Sequence, residues 1–587
     1  MSKSLDHRTY LPARDLPVAA LTSRCIPSCR TVYLATGHWP LATLPGREMN
    51  AQIDLNALDL AIFAAYLAGT VLIGFYVARR EENTSRDYFL AGKKLPWYVV
   101  GASLVATVIS TEHFIGSVGA AYAVGMVVAA FNWNAWIVYS LLIWIFLPYY
   151  MRTGLYTMPE FLERRFHPAL RSLYTVFLTI GYVASLIGGV LFAGGEAIES
   201  MFGVNIYWSI VILAIATGAY TIYGGLTSVA WTDFMQLILL LAAGIVVVVA
   251  GLWKVGGLAV LMSEYPDKFQ VFLPPTHPVF PATGIFTGFL SVGIWYNCAS
   301  QHTVQRCLAA RNEWNARMGV IAAGFLHVLM PLLVVLPGII AFKLFPALER
   351  PDHAYPMLVK LLIPSGVRGL IMAGLVAALM STLSSVVNST STILTLDLYK
   401  RRWRAEATDE QQVRFGRRAG VVVLVVGTLV AMYYGSLEGS FAFLLIQNVF
   451  AYIAPPFAVV FTLGILWRRA NATAAMTTIL LGFPFTFVLE KYLFAAVGFL
   501  RPYNNYLHRA LLAWVFCMVV MIAVSLVTRP PAREKTEGII WRPGYARLPE
   551  SERRQHRGWQ DYRLWWLLFV GTVFSIYGFF LWFRFRG

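Results

Sequence analysis

One stretch of this 587-residue sequence carries residues of the type and spacing that hold a small cation. In the run AALMSTLSSVVNSTST, Ala378, Ser381, Thr382 and Ser385 are separated by three and four residues, so on a helix they share a face. Hydroxyl and carbonyl oxygens are the donors that hard cations prefer, and sodium is such a cation. Small residues also let membrane helices pack closely; packing explains their size but not the pairing of hydroxyls. Asp233, in VAWTDFMQL, is one of few acids beside an apolar stretch. An acid at membrane depth is a functional candidate by default, with a solvated helix end as the competing role.

Two other stretches interrupt apolar runs with polar residues. GASLVAT leads into VISTEHFIGS, which sets Ser110, Thr111, Glu112 and His113 together, and SVGIWYNCASQHT does the same with Gly293, Asn297, Ser300 and Gln301. A broken membrane helix exposes carbonyls and helix ends that can bind an ion and a solute. The two breaks fall five apolar spans apart, the separation expected of an inverted five-plus-five repeat whose halves each begin with a broken helix.

The elements that must position these residues are membrane helices. The sequence is 58% hydrophobic and 13% charged, well below the roughly 25% charge of a soluble domain. Its apolar runs divide into about fourteen candidate spans, each near the length needed to cross a hydrocarbon core: 55–78, 96–122, 124–150, 174–195, 206–223, 231–253, 284–300, 318–345, 367–398, 419–434, 441–467, 472–496, 507–527 and 564–582. The fold class expected is an all-α polytopic membrane protein. Counting from the first connection, alternate loops hold about 30 Lys and Arg against about 11 in the others, which predicts a plasma (cell inner) membrane protein with both termini extracytoplasmic.

The net charge of +17 is thereby accounted for by short basic loops and not by a nucleic-acid face. Five cysteines show no metal-ligand spacing, Cys25 and Cys29 among them. Residues 1–48 form a polar leader without a secretory apolar core; it is expected to be disordered, or else Met49 is the natural start. Residues 49–587 then form one transporter domain, with core repeats at about 95–467 and extra helices at 55–78, 472–496, 507–527 and 564–582. No enzyme motif stands out, whether a nucleophile elbow, HExxH or a phosphate loop. No organic cofactor is expected, and the oligomeric state is not legible.

DYFLAGKKLPWYVVGASLVAT, IYGGLTSVAWTD, QHTVQRCLAA, LMSTLSSVVNST and IQNVFAYIAPP occur in this order, and together they resemble the sodium:solute symporter family, in its sodium/glucose cotransporter-like branch. The resemblance implies a LeuT-type arrangement of two inverted five-helix repeats with extra helices at both ends. It implies a sodium site made by the backbone oxygens of Ala106, Ile109 and Ala378 with the hydroxyls of Ser381 and Thr382. It also implies a second sodium site, present in some members, at Asp233, Ser384 and Ser385. His113, Tyr296 and Gln447 match solute-contact positions. Three others depart: Asn132 replaces a glutamate, Asn297 a stacking tryptophan and His327 a lysine.

These readings predict a sodium-coupled symporter, not an enzyme, that moves a small polar, polyhydroxylated solute such as a sugar, polyol or sugar derivative by alternating access. Asn132, Asn297, Gln447 and the two histidines supply the mixed donors and acceptors that hydroxyls need. The departures leave two alternatives open: a solute sensor or sodium-leak protein on the same scaffold, and a proton-coupled carrier using His113 and His327.

Overall fold

The computed structural model describes residue 53 and residues 55–79, 84–110, 113–436 and 442–586; the expectations for the leader and for Cys25 and Cys29 fall outside them. Helix α1, Ala57–Ala78, starts at a capping box in which Asn56 Oδ1 accepts from Asp59 N and the Asp59 carboxylate accepts from Asn56 N. Helix α2, Trp97–Val108, stops at Ile109, whose backbone is extended (φ −91°, ψ 114°). The chain resumes helical structure at His113 and runs into α3, Val118–Val124. Gly125 then turns it with φ 83°, where a Cβ would lie 2.1 Å from Lys268 O.

Helix α4, Ala135–Leu141, continues to Arg152, and the short α5, Met158–Arg165, begins at a Thr157 cap. Helix α6, Pro168–Gly181, continues to Phe202. Helix α7, Ile206–Val255, is 50 residues long and bends at Gly225, where φ is 60° and a Cβ would meet Tyr88 O at 2.4 Å. Helix α8, Ala282–Ile294, gives way to a wide turn and to extended backbone at Ser300 (φ −79°, ψ 135°), after which α9, Gln301–Leu308, begins.

The remaining long helices are α10, Glu313–Val334; α11, Arg368–Ile393; α12, Asp409–Gly435; α13, Ala442–Leu466; α14, Ala472–Val488; α15, Tyr506–Val527; and α16, Tyr562–Arg586.

Among the described residues, eleven helices are long and apolar enough to cross a membrane, against about fourteen candidate spans in the sequence. The difference has a physical origin. The candidates 206–223 and 231–253 share the bent α7; 96–122 is broken into the short α2 and a second piece that joins 124–150 in the span His113–Arg152; and 284–300 is broken so that α8 is too short to cross alone. Both breaks occur where polar residues interrupt the apolar pattern.

α11 lies at the centre. In its span, Arg368–Trp403, 94% of the apolar stretch is buried, against 11% for α1 and 17% for α16, which present their apolar sides outward as lipid-facing helices do. α11 packs on α7, α1, α2 and α12. Its start is held by Asp59 Oδ1, which accepts from Gly366 N (2.9 Å) and Gly369 N (2.7 Å).

The basic connections gather at one end. Arg152 and Arg317 both pair with Glu313, Arg171 and Arg401 both pair with Glu163, and Arg171 also reaches Asp397 at 2.5 Å. The segment before α16 joins them: Arg317 donates to Tyr545 O and Ala546 O, Lys535 donates to Glu163 O, and Trp541 Nε1 donates to Trp144 O. At the other end, Lys268 Nζ donates to Tyr122 O and Ala123 O, and Lys343 pairs with Glu264.

Candidate functional site for an ion and a solute

The extended Ile109 removes α2's last carbonyls from helical bonding and aims them at α11. Ser381 Oγ lies 2.8 Å from Ala106 O and 2.9 Å from Ala378 O. Thr382 Oγ1 lies 3.5 Å from Ile109 O and 3.3 Å from Ala378 O. All five residues of the expected sodium site therefore come together, fully or almost fully buried, with three carbonyls and two hydroxyls converging. The hydroxyls donate to these carbonyls here. A cation held among them would require each O–H to turn away and offer a lone pair in its place, which would give the oxygen-only shell that a hard ion takes.

The second expected group is assembled differently. Asp233 is fully buried, eight residues beyond the Gly225 bend, so it is not a solvated helix end. Its Oδ2 accepts from Ser103 Oγ at 2.6 Å, while Oδ1 has no hydrogen-bond partner among the described residues. Ser385 Oγ is 2.7 Å from Thr107 Oγ1, and Ser384 Oγ donates to Ser381 O at 3.0 Å. Ser103 and Thr107, one turn apart on α2, thus link α2 to α7 and α11 beside the first site. Neither stood out in the sequence, although GASLVAT does place two hydroxyls four residues apart.

The solute-contact positions come from separate elements. The turn His113–Ser117 packs against α10, which carries His327, and the Ala130–Trp133 turn with buried Asn132 packs on α10 as well. His113 Nδ1 accepts from Ser110 N (3.3 Å), and His327 Nδ1 is 3.0 Å from Ala323 O. Asn297 Nδ2 donates to Gly293 O at 3.1 Å. Tyr296 stacks edge-on with His302 and tilts against Phe450, their ring centres 4.8 and 5.4 Å away. The side chain of Gln447, like Thr111 and Glu112, lies outside the described residues.

Sequence reasoning missed two buried groups here. Tyr139 packs its ring against His327 at 5.4 Å, and its buried hydroxyl has no hydrogen-bond partner among the described residues. On α9, Gln305 and Arg306 reach Ser389, and Gln305 also reaches Thr392, so they tie the second broken helix to α11.

Two broken helices, one delivering carbonyls to a hydroxyl-bearing central helix, match the order of the quoted blocks. The sequence profile described as "Sodium:solute symporter family" matches residues 88–482. The chain belongs to the sodium:solute symporter family. Within this family, its relatives include the sodium/glucose cotransporter of Vibrio parahaemolyticus, 33% identical over 510 residues that cover 82% of this chain and 92% of the relative. The sodium/myo-inositol cotransporter of Homo sapiens is also 33% identical, over 538 residues covering 82% and 75% of the two chains. The fold is that of a solved Na+-coupled sialic acid symporter in a substrate-bound, outward-open state, with a TM-score of 0.74 at 22% identity, covering 81% of this chain and 99% of the other. As a family member the protein is a multi-pass membrane transporter with sodium as its coupling ion, and not an enzyme.

Proposed function

We propose that this protein moves a small polyhydroxylated solute inward by alternating access, driven by sodium bound between α2 and α11. The observation that carries the reading is Ser381 Oγ, within 2.9 Å of both Ala106 O on α2 and Ala378 O on α11. An ion at that point fastens the broken helix to the central one, and the same break carries His113 in the solute pocket. Sodium and solute therefore each favour the other's binding, as linkage requires.

The basic end faces the cytoplasm by the positive-inside rule, with both termini on the opposite side. Ala106, Ile109, Ala378, Ser381 and Thr382 act as the main sodium ligands. Asp233, Ser384 and Ser385 serve a second sodium. His113, Asn132, Tyr296, Asn297, His327 and Gln447 contact the solute. One sodium crossing about 100 mV supplies roughly 2.3 kcal/mol, and a tenfold gradient adds about 1.4 kcal/mol.

The test is uptake of labelled myo-inositol and glucose into proteoliposomes holding the full chain. An inward sodium gradient should drive transient accumulation above equilibrium, which a potassium gradient should not. Equal uptake under both gradients would overturn the reading. Uptake that follows a proton gradient without sodium would favour proton coupling, and solute-evoked current without uptake would favour a sensor.

A further inference from the structure

The basic end opens a cleft where α6 begins and the helical continuation of α11, Leu394–Trp403, ends. It has a volume of about 140 Å³ and is lined by Glu163, Pro168, Arg171, Ser172, Arg401 and Arg402. Its charges do not balance. Both oxygens of Glu163 are taken, one by Arg171 Nη1 at 2.6 Å and the other by Arg401 through Nε at 3.0 Å and Nη2. The rest of the Arg171 guanidinium is taken by Asp397 Oδ1 and Leu396 O. Arg402 has no acid partner among the described residues: its Nη2 donates to Ser172 Oγ at 3.0 Å, and Nε and Nη1 are left over. Lys400 and Arg404, exposed on the same segment, add to the excess of positive charge.

We infer that this cleft holds the phosphate of an anionic phospholipid, with Arg402 as its main partner and Arg401 beside it. A run of basic residues is ordinarily a solvated face, but this one adjoins a surface that fits the rest of a lipid. Pro168 and Ser172, which line the cleft, begin a stripe on α6 that continues at the same four-residue spacing with Val176 and Ile180. Val176 is 46% and Ile180 63% exposed, so an acyl chain leaving the cleft meets apolar side chains along the helix. The cleft also lies at headgroup depth, because one apolar span starts at Pro168 and another ends at Trp403. Trp403, 65% exposed beside Arg402, is the kind of residue that settles at a membrane interface. Guanidinium groups bind phosphate through paired N–H bonds, and basic pockets between membrane helices on the cytoplasmic side take anionic headgroups. A lipid seated here touches α6 and the end of α11 at once, which adds a tie to those that Arg171 makes to Asp397 and Arg402 to Ser172.

The experiment is native mass spectrometry of the purified full chain titrated with phosphatidylglycerol, phosphatidylcholine and glycerol phosphate. Wild type should bind phosphatidylglycerol in preference to phosphatidylcholine. Arg402→Gln should weaken phosphatidylglycerol by about fivefold, as expected for one basic residue at a membrane surface. Arg414→Gln removes another exposed arginine, one outside the cleft and paired with Glu410, and should leave that binding unchanged. Ile180→Ser shortens the apolar stripe and should weaken phosphatidylglycerol several-fold while glycerol phosphate is unaffected. Glycerol phosphate, the head alone, should compete at least about tenfold more weakly than the lipid, for want of the acyl contacts. Arg402 and Ile180 are both exposed, and unfolding of each variant at the wild-type temperature confirms an intact fold. No preference for phosphatidylglycerol, equal losses in Arg402→Gln and Arg414→Gln, or unchanged binding in both Arg402→Gln and Ile180→Ser would overturn the inference. Glycerol phosphate competing as well as the lipid would also overturn it, assigning the cleft to a soluble phosphate.

Discussion

The proposed ion site and the proposed solute pocket share the broken α2 and the turn after it, yet they are built by different rules. The proposed ion site takes three backbone oxygens and two hydroxyls from just two segments, Ala106–Ile109 and Ala378–Thr382. The proposed solute pocket draws single side chains from at least four elements, including Asn132, Asn297 and His327. An ion needs only oxygens at the right separation, so short local spacing defines it. A solute needs a pattern of donors and acceptors in space, so its residues are scattered and each can change alone. The family resemblance accordingly implies an unaltered ligand set at the proposed ion site and departs at Asn132, Asn297 and His327.

Two acids sharpen this comparison, because one lies inside the ion region and one outside both regions. Asp233→Asn keeps the shape of the buried cluster but removes its charge. If Asp233 holds a second sodium, simultaneous current and flux measurements should give about two charges per solute in wild type and one in the variant. The loss per cycle is the driving force of one ion, about 2.3 kcal/mol at 100 mV plus about 1.4 kcal/mol for a tenfold gradient. One charge per solute in wild type would confine coupling to the α2–α11 site.

Glu163 gives the smaller effect. Burial raises its carboxyl, but hydrogen bonds and charge from Arg401 and Arg171 outweigh burial and hold it down at about 2. Its folded pKa is thus below the ordinary carboxylate value, so its contribution is complete above about pH 5 and disappears as pH falls toward 2. Thermal unfolding in detergent should show acid destabilisation over that window, reduced in Glu163→Gln, while sodium affinity at neutral pH changes by less than about threefold. A large change in sodium affinity would mean that the basic-end ion pairs belong to the coupling machinery.

Much of this arrangement is legible in the sequence for identifiable reasons. Hydroxyl spacing in LMSTLSSVVNST marks the central helix, and the polar interruptions at ISTEHF and NCASQ mark where the two helices break. Ser103 and Thr107 were not legible, because a serine or threonine in a membrane helix ordinarily bonds its own backbone. Thr221, Thr232 and Thr390 do so here, each donating to the carbonyl four residues back. Nothing in the local sequence separates them from Thr107, which bonds Ser385 on another helix. Arg306 escaped notice for a related reason: a basic residue after a span reads as a loop charge, yet it is completely buried beside Ser389. The span count differs where Gly225 bends a helix without stopping it, since glycine marks a bend and a loop alike.

The most direct test of the central claim needs no solute. Equilibrium binding of radioactive sodium to the purified full chain should be saturable in wild type. In Ser381→Ala it should weaken by at least about tenfold, as expected for losing a ligand to a charged partner worth roughly 1.5–3 kcal/mol. Saturable binding unchanged by Ser381→Ala, in a variant that unfolds at the wild-type temperature, would contradict the assignment of the coupling ion to the oxygens between α2 and α11.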